Sequence, residues 1–325
     1  MSDFTMSRRT LLSGVALAGA ASLAPALPAQ AAAEMQGLSV PSVYRFKMGD
    51  FEITTIRDGG VALDGPHPIF GQNVDASEVQ ALAEENFLPP TRMEIGFTVT
   101  LVNTGAELVL FDTGNGDTGR RPAAGLLLDH LAAAGISPED IDIVVITHFH
   151  GDHIGGLTEG GSPAFPNARY VTGATEYDFW TGDAAAGNDA LANSVKLVQA
   201  KVVPMAEKMT FVAPGDAVVS GIEAVNAFGH TPGHMAYRIE SGGQNLILTA
   251  DTVNHFVVSL QRPDWHVRFD MDKEAAANTR RELLGMIASE RLPFIGYHMP
   301  APALGYLEPY DGSFRYVAAS YQFHV

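Results

Sequence analysis

The run Ile143-Val144-Val145-Ile146-Thr147-His148-Phe149-His150-Gly151-Asp152-His153 constrains this chain more than any other stretch. Its first four residues are apolar and β-branched without interruption, which predicts a strand buried on both faces. The six residues after Thr147 hold three imidazoles and a carboxylate. Alternate residues of an extended segment point the same way, so His148 and His150 can reach one ion. Gly151 lets the chain turn, and Asp152 and His153 can then face a second ion beside the first. These donor types suit zinc-like metals. A buried strand delivering a two-ion site therefore sets the architecture.

The chain has 325 residues and is 46% apolar, enough to bury the core of a single α/β domain. It holds no cysteine, which excludes disulfides, thiolate zinc ligands and a cysteine nucleophile. The net charge of −17 repels phosphate backbones and anionic bilayers, so no nucleic-acid partner and no membrane partner for the mature chain are expected. The partner expected is a small-molecule substrate.

Residues 1–33 read as a targeting segment. Ser7-Arg8-Arg9-Thr10-Leu11-Leu12 resembles a twin-arginine export motif, an Ala/Leu/Gly run follows to Leu27, and Ala29-Gln30-Ala31-Ala32-Ala33 is a small-residue cleavage region. The alternative is an uncleaved anchor, for which the run is short. Residues 34–43 form the mature tail and 44–325 the folded domain, placed in the periplasm or secreted.

Tyr44–Met48 and Phe51–Ile56 predict a β-hairpin, with Arg57-Asp58-Gly59-Gly60 as a turn before Val61–Leu63. Asp75-Ala76-Ser77-Glu78 has capping-box spacing and opens a helix to about Asn86. Further helices are expected over Pro122–Ala133, Ala174–Thr181, Asp189–Lys201 and Met271–Glu290, with Gly182–Asn188 as an open, mobile connection. Strands dominate Phe211–Ala250, and Pro293–Tyr297 is a last core strand. No linker or tandem repeat divides the domain.

The His148–His153 signature resembles that of the metallo-β-lactamase superfamily. So do Phe111-Asp112-Thr113-Gly114, Gly229-His230-Thr231-Pro232-Gly233-His234, Thr249-Ala250-Asp251-Thr252 and Tyr297-His298-Met299-Pro300, in the superfamily's order. Tyr44–Gly60, Ala164-Phe165-Pro166-Asn167-Ala168 and Asp178-Phe179-Trp180 are similar to the methyl parathion hydrolase and quorum-quenching lactonase-like group. The resemblance implies an αββα sandwich with two divalent ions, zinc first, with manganese, cobalt or iron also suited. His148, His150 and His234 would hold one ion; Asp152, His153 and His298 the other; Asp251 would bridge them. Asp112 would stand behind the first histidines and fix their tautomers. His230 is either such a supporting group or a histidine that stiffens its loop. The chemistry implied is attack of a metal-bridging hydroxide on a neutral ester-like substrate, with Asp152 or Asp251 passing a proton to the leaving group. That substrate is a lactone such as an acyl-homoserine lactone, or an organophosphate triester. The group also forms homodimers in many cases.

Phe149 and Trp180 are candidates for an apolar pocket wall, or for ordinary core. His255 is a further pocket candidate, or an exposed residue. The Asn115–Arg121 loop and the Asn188–Lys196 segment depart from the group's pattern, which counts against phosphotriesters and leaves room for lactones. Competing readings are a mononuclear iron persulfide dioxygenase, a β-lactam hydrolase and a metal-binding protein without turnover. Metal stoichiometry, oxygen uptake and ester turnover separate them.

Overall fold

A computed structural model describes residues 39–325 except 122 and 322. Residues 1–33, read as an export signal, and residues 34–38 of the tail lie outside the described residues. Among those described, no helix is long and apolar enough to cross a membrane.

The first half of the domain runs β1 (Val43–Met48), β2 (Phe51–Asp64), α1 (Ala76–Glu85), β3 (Arg92–Asn103), β4 (Leu108–Phe111), α2 (Leu127–Ala133), β5 (Ile143–Ile146) and α3 (Gly151–Ile154). It continues through the small hairpin β6 (Thr158–Glu159) and β7 (Ser162–Pro163), then β8 (Arg169–Gly173), α4 (Ala174–Thr181), α5 (Asp183–Ala186), α6 (Ala192–Lys201) and β9 (Met209–Val212). One seven-stranded sheet has the order β1-β2-β3-β4-β5-β8-β9, antiparallel as far as β4 and parallel beyond it.

The second half gives β10 (Ala217–Val219), β11 (Ile222–Asn226), β12 (Met235–Ser241), β13 (Gln244–Ala250), α7 (Val258–Gln261), α8 (Lys273–Glu290), β14 (Phe294–Gly296), β15 (Leu304–Tyr310) and β16 (Ser313–Ala318). These strands form a second sheet in sequence order, with β13–β14 its parallel pair.

Strand alternation builds the layers. Ile143 and Val145 of β5 join the core between the sheets with Phe111, Tyr237, Ile239 and Leu246. Val144 and Ile146 face the other way and join Leu127, Leu131, Trp180 and Val198 under the outer helices. Leu283, Leu284 and Ile287 of α8 belong to the first cluster and cover the second sheet. All four β5 side chains are fully buried, and each contributes about 1.5–3 kcal/mol. The result is the αββα sandwich expected.

Three local expectations are corrected. The Arg57–Gly60 segment is not a turn; β2 runs through it with a bulge between Arg57 and Gly59. The buried Asp58 carboxylate accepts hydrogen bonds from the Asn115 amide and side chain, Gly125 N and Leu127 N (2.8–3.2 Å), so this polar cluster plugs the α2 loop into the sheet. The helix expected from residue 122 begins at Leu127, because Gly125 takes a φ of +77° and Arg121 pairs with Ala124 as an isolated bridge. Gly182–Asn188 is not an open connection, since α5 forms within it. The Asp75 cap holds as expected, with Asp75 N donating to Glu78 Oε1 at 3.3 Å.

One parallel pair in each sheet ends on residues that can bind a cation. β4 and β5 lead into Asp112 and His148; β13 and β14 lead into Asp251 and His298. Asp112 and Ala250 both adopt left-handed backbone (φ +64° and +44°), which breaks each strand where these side chains are presented.

Candidate metal centre

Four chain segments converge where these strands end. His148, His150, His230 and Asp251 form one group of donor atoms within 4.8 Å of one another; Asp152, His153 and His298 form a second. Asp251 lies between them. Its Oδ1 is 3.3 Å from His153 Nε2, while its Oδ2 is 3.1 Å from His298 Nε2, 3.3 Å from His230 Nε2 and 3.9 Å from His148 Nε2. Asp152 Oδ2 is 3.6 Å from His153 Nε2 and 3.7 Å from His298 Nε2.

The imidazoles are held from behind. His153 Nδ1 meets Asp112 Oδ2 at 2.9 Å, and His148 Nδ1 meets Thr147 Oγ1 at 3.1 Å. The Thr147 hydroxyl donates in turn to Asp112 Oδ2 (2.9 Å), and Thr147 N donates to Asp112 Oδ1 (2.8 Å). One buried carboxylate therefore orients two histidines, one directly and one through a hydroxyl. His298 Nδ1 donates to Gly96 O (2.7 Å), His234 Nδ1 to Ala227 O (2.9 Å) and His230 Nδ1 to Asp270 Oδ1 (2.8 Å). Asp270 is anchored by Arg280 at 2.7 Å. In its neutral form each of these five rings thus carries its proton on Nδ1 and leaves Nε2 as a lone pair.

Electrostatics divides the set. Burial, with the charges of neighbouring imidazoles, pulls His148 well below the usual histidine value; burial takes His150 and His234 to about 3. These rings are neutral at physiological pH. Burial also disfavours charge on His230, but hydrogen bonds to Asp251 and Asp270 carry it up to about 9. Burial is likewise overcome at His153 and His298, where Asp251 raises both. Asp251 is held far below the usual carboxylate value, against burial, by His298 and His153. Burial disfavours a bare carboxylate, and the His298 and His153 rings facing Asp251 offset that; divalent ions would stabilise the same charge.

The donors fit such ions. His148 Nε2, His153 Nε2 and Asp251 Oδ1 are buried with no hydrogen-bond partner, an expensive state unless a cation completes them. The donor set is imidazole and carboxylate with no thiolate, which suits zinc and its neighbours.

The structure brings His148, His150, Asp152, His153, Asp251 and His298 together. The Gly229–His234 loop differs from expectation in which ring enters the first group. His230 Nε2 does, 2.9 Å from His150 Nδ1, whereas His234 Nε2 accepts from Asp251 N at 3.0 Å. Phe149 and Trp180 are fully buried in the helix-side core, Phe149 edge-on to Tyr177, so neither forms an open pocket wall. His255 is not exposed. Its Nδ1 accepts from Val257 N and Val258 N (3.1 and 3.2 Å), its ring meets Phe70 edge-on, and it holds the start of α7.

Sequence reasoning missed Asp270, Arg280, Asn254 and Glu176. Asn254 Nδ2 donates to Asp251 Oδ2 at 3.1 Å. None carries a local signal, because nothing in the flanking residues marks the side chain as buried and polar.

A model of the metallo-beta-lactamase superfamily matches residues 98–289. An N-acyl homoserine lactonase from a Bacillus species is 24% identical over 173 residues, 53% of this chain. That match spans 61% of the Bacillus enzyme, so the chain covers less than two thirds of this curated relative. Among solved structures, AidC, a dizinc quorum-quenching lactonase, superposes with a TM-score of 0.77 at 26% identity, covering 86% of this chain and 98% of AidC. The hydrolase AbOPH superposes with a TM-score of 0.81 at 25% identity, covering 88% of this chain and all of AbOPH.

Proposed function

Because the chain belongs to the metallo-β-lactamase superfamily, we propose that it is a two-metal hydrolase of neutral, ester-like substrates, with an acyl-homoserine lactone as the first choice. The observation that carries this reading is Asp251, whose two oxygens face the two donor groups from one side chain. His148, His150, Asp251 and the imidazoles of the Gly229–His234 loop would hold one ion. Asp152, His153, His298 and Asp251 would hold the other. Such ions supply an activated water near neutral pH and polarise the substrate oxygen that gains charge.

The remaining work falls to the chain. Asp112 keeps the Nε2 lone pairs of His148 and His153 aimed inward. Asp152, whose side chain is 24% exposed, is the carboxylate of the centre open to solvent, placed to pass a proton toward a leaving alkoxide. Asp251 is buried and fixed by Asn254, which suits a bridging role.

Charge supports a neutral substrate. Among the described residues, no lysine or arginine contacts the two donor groups directly. Arg280 reaches them only through Asp270 and is committed to Asp270, Thr252 O and Pro263 O. A carboxylate-bearing β-lactam would therefore find no lysine or arginine in contact with these donor groups. The likeness to AidC and to the Bacillus lactonase supports a lactone over a phosphotriester. The Arg8–Arg9 pair and the apolar run behind it support export in folded form, which sequencing the N-terminus of the exported protein tests.

The deciding experiment is turnover of acyl-homoserine lactones, aryl esters, phosphotriesters and β-lactams by purified protein, with bound metal and oxygen uptake measured in parallel. Lactone hydrolysis with two ions per chain is expected. Oxygen consumption with a single iron, or metal binding without turnover of any ester, would overturn the proposal.

A further inference from the structure

Glu176 stands in the first turn of α4, and its carboxylate is fully buried. It makes no ion pair with a cationic side chain among the described residues; four donors satisfy it instead. Oε1 accepts from Phe149 N (2.9 Å) and Trp180 Nε1 (2.8 Å). Oε2 accepts from Thr231 Oγ1 (2.7 Å) and Gly233 N (2.9 Å).

The identity of these donors is the point. Phe149 lies between His148 and His150. Thr231 and Gly233 lie between His230 and His234. Each oxygen therefore grips one histidine-bearing loop, and a single side chain spans 27 residues of sequence one way and 57 the other. These bonds tie both loops to the first turn of α4. A Cβ on Gly233 would lie 2.1 Å from Glu176 N, so the loop's backbone rests directly on the first turn of α4. Trp180, one turn further along α4, locks the carboxylate from behind. A buried carboxylate without a counter-cation is costly. An apolar side chain would fill the same space but would leave these four donors unpaired.

We propose that Glu176 is a positioning residue that sets the spacing between the His148–His150 loop and the His230–His234 loop, and with it the affinity of the first metal group. This rests on the metal-centre reading above.

An amide at this position offers one acceptor oxygen and one donating nitrogen. Phe149 N–H and Trp180 Nε1–H can only donate, so in Glu176→Gln the oxygen must stay with them. The amide nitrogen then faces Thr231, whose hydroxyl can rotate to accept, and Gly233 N–H, which cannot. The substitution should release the His230–His234 loop and leave the His148–His150 loop in place.

The test compares wild type, Glu176→Gln and Thr231→Val in zinc affinity by chelator competition. The absorption spectrum of the cobalt-loaded proteins and the thermal midpoint of the metal-free proteins complete it. In Glu176→Gln, one of two ions should weaken by about 10- to 100-fold, with a changed cobalt spectrum, while the other ion changes less. Thr231→Val should move the same ion in the same direction by a smaller factor. A lowered midpoint with both affinities and the spectrum unchanged would overturn the proposal, because that is what a filler residue gives. Should Glu176→Gln fail to fold, Thr231→Val decides by the same criterion. Wild-type protein that binds no zinc or cobalt would sink the metal-centre reading itself, a result distinct from unchanged affinity in the variants.

Discussion

Asp112 Oδ2 sits 2.9 Å from His153 Nδ1 and accepts a second hydrogen bond, also 2.9 Å, from the Thr147 hydroxyl that supports His148. In Asp112→Asn the amide nitrogen would take the place either of Oδ2, facing both of these donors, or of Oδ1, facing Thr147 N–H, so in either orientation the support behind the two rings loses an acceptor. Metal affinity should fall by about 10- to 100-fold with the fold retained. Chelator competition, with circular dichroism as the control, checks this. Unchanged affinity would show that the rings need no support from behind.

Asp251→Ala removes the one carboxylate shared by both donor groups. Bound metal should drop below one ion per chain and turnover by about 10³-fold or more, the scale seen when a major electrostatic group is lost. Elemental analysis beside steady-state rates reads both. Two retained ions with near-normal turnover would remove Asp251 from its bridging place.

The two imidazoles of the Gly229–His234 loop are separable. His230 Nε2 lies inside the first donor group, and His234 Nε2 lies on the Asp251 amide. His230→Ala and His234→Ala should each weaken the ion held by His148. A His230→Ala protein with wild-type metal titration would confine that residue to its contact with Asp270.

His255 gives a pH dependence away from the metal donors. Burial lowers its pKa from 6.5 to about 4. The unfolded chain then binds a proton that the folded chain refuses, so stability is lost as pH falls from 6.5 to 4. The loss attributable to this ring is roughly 3 kcal/mol at most. In urea titrations of metal-free protein, His255→Asn should show a flatter decline over that interval. Parallel declines would assign the pH effect elsewhere.

Much of the fold and of the centre is legible in the sequence. Ile143–Ile146 announces a two-faced strand, and its alternation into the two cores agrees with that. Asp75 and Glu78 announce the start of α1. Polar burial at long range is what a linear reading cannot supply. Asp58-Gly59 looks like a turn until the α2 loop supplies donors to its carboxylate. Glu176 looks like the solvent face of a short helix until two distant loops arrive to donate to it. Phe149 and Trp180 suit a pocket wall and a core equally, since an aromatic on one face satisfies either; only the helices packed over them decide it. His230 and His234 share one short motif, and their order of approach depends on Asp270, 40 residues beyond His230.

The parallel pairs β4–β5 and β13–β14, one from each sheet, have a consequence for how the donor set is assembled. Residues up to His153 bring only part of the donor set; the Gly229–His234 loop precedes β12, Asp251 follows β13 and His298 follows β14. A chain interrupted midway through synthesis would present too few donors to retain its ions. The full donor set of the proposed centre therefore exists only once β14 has joined the second sheet.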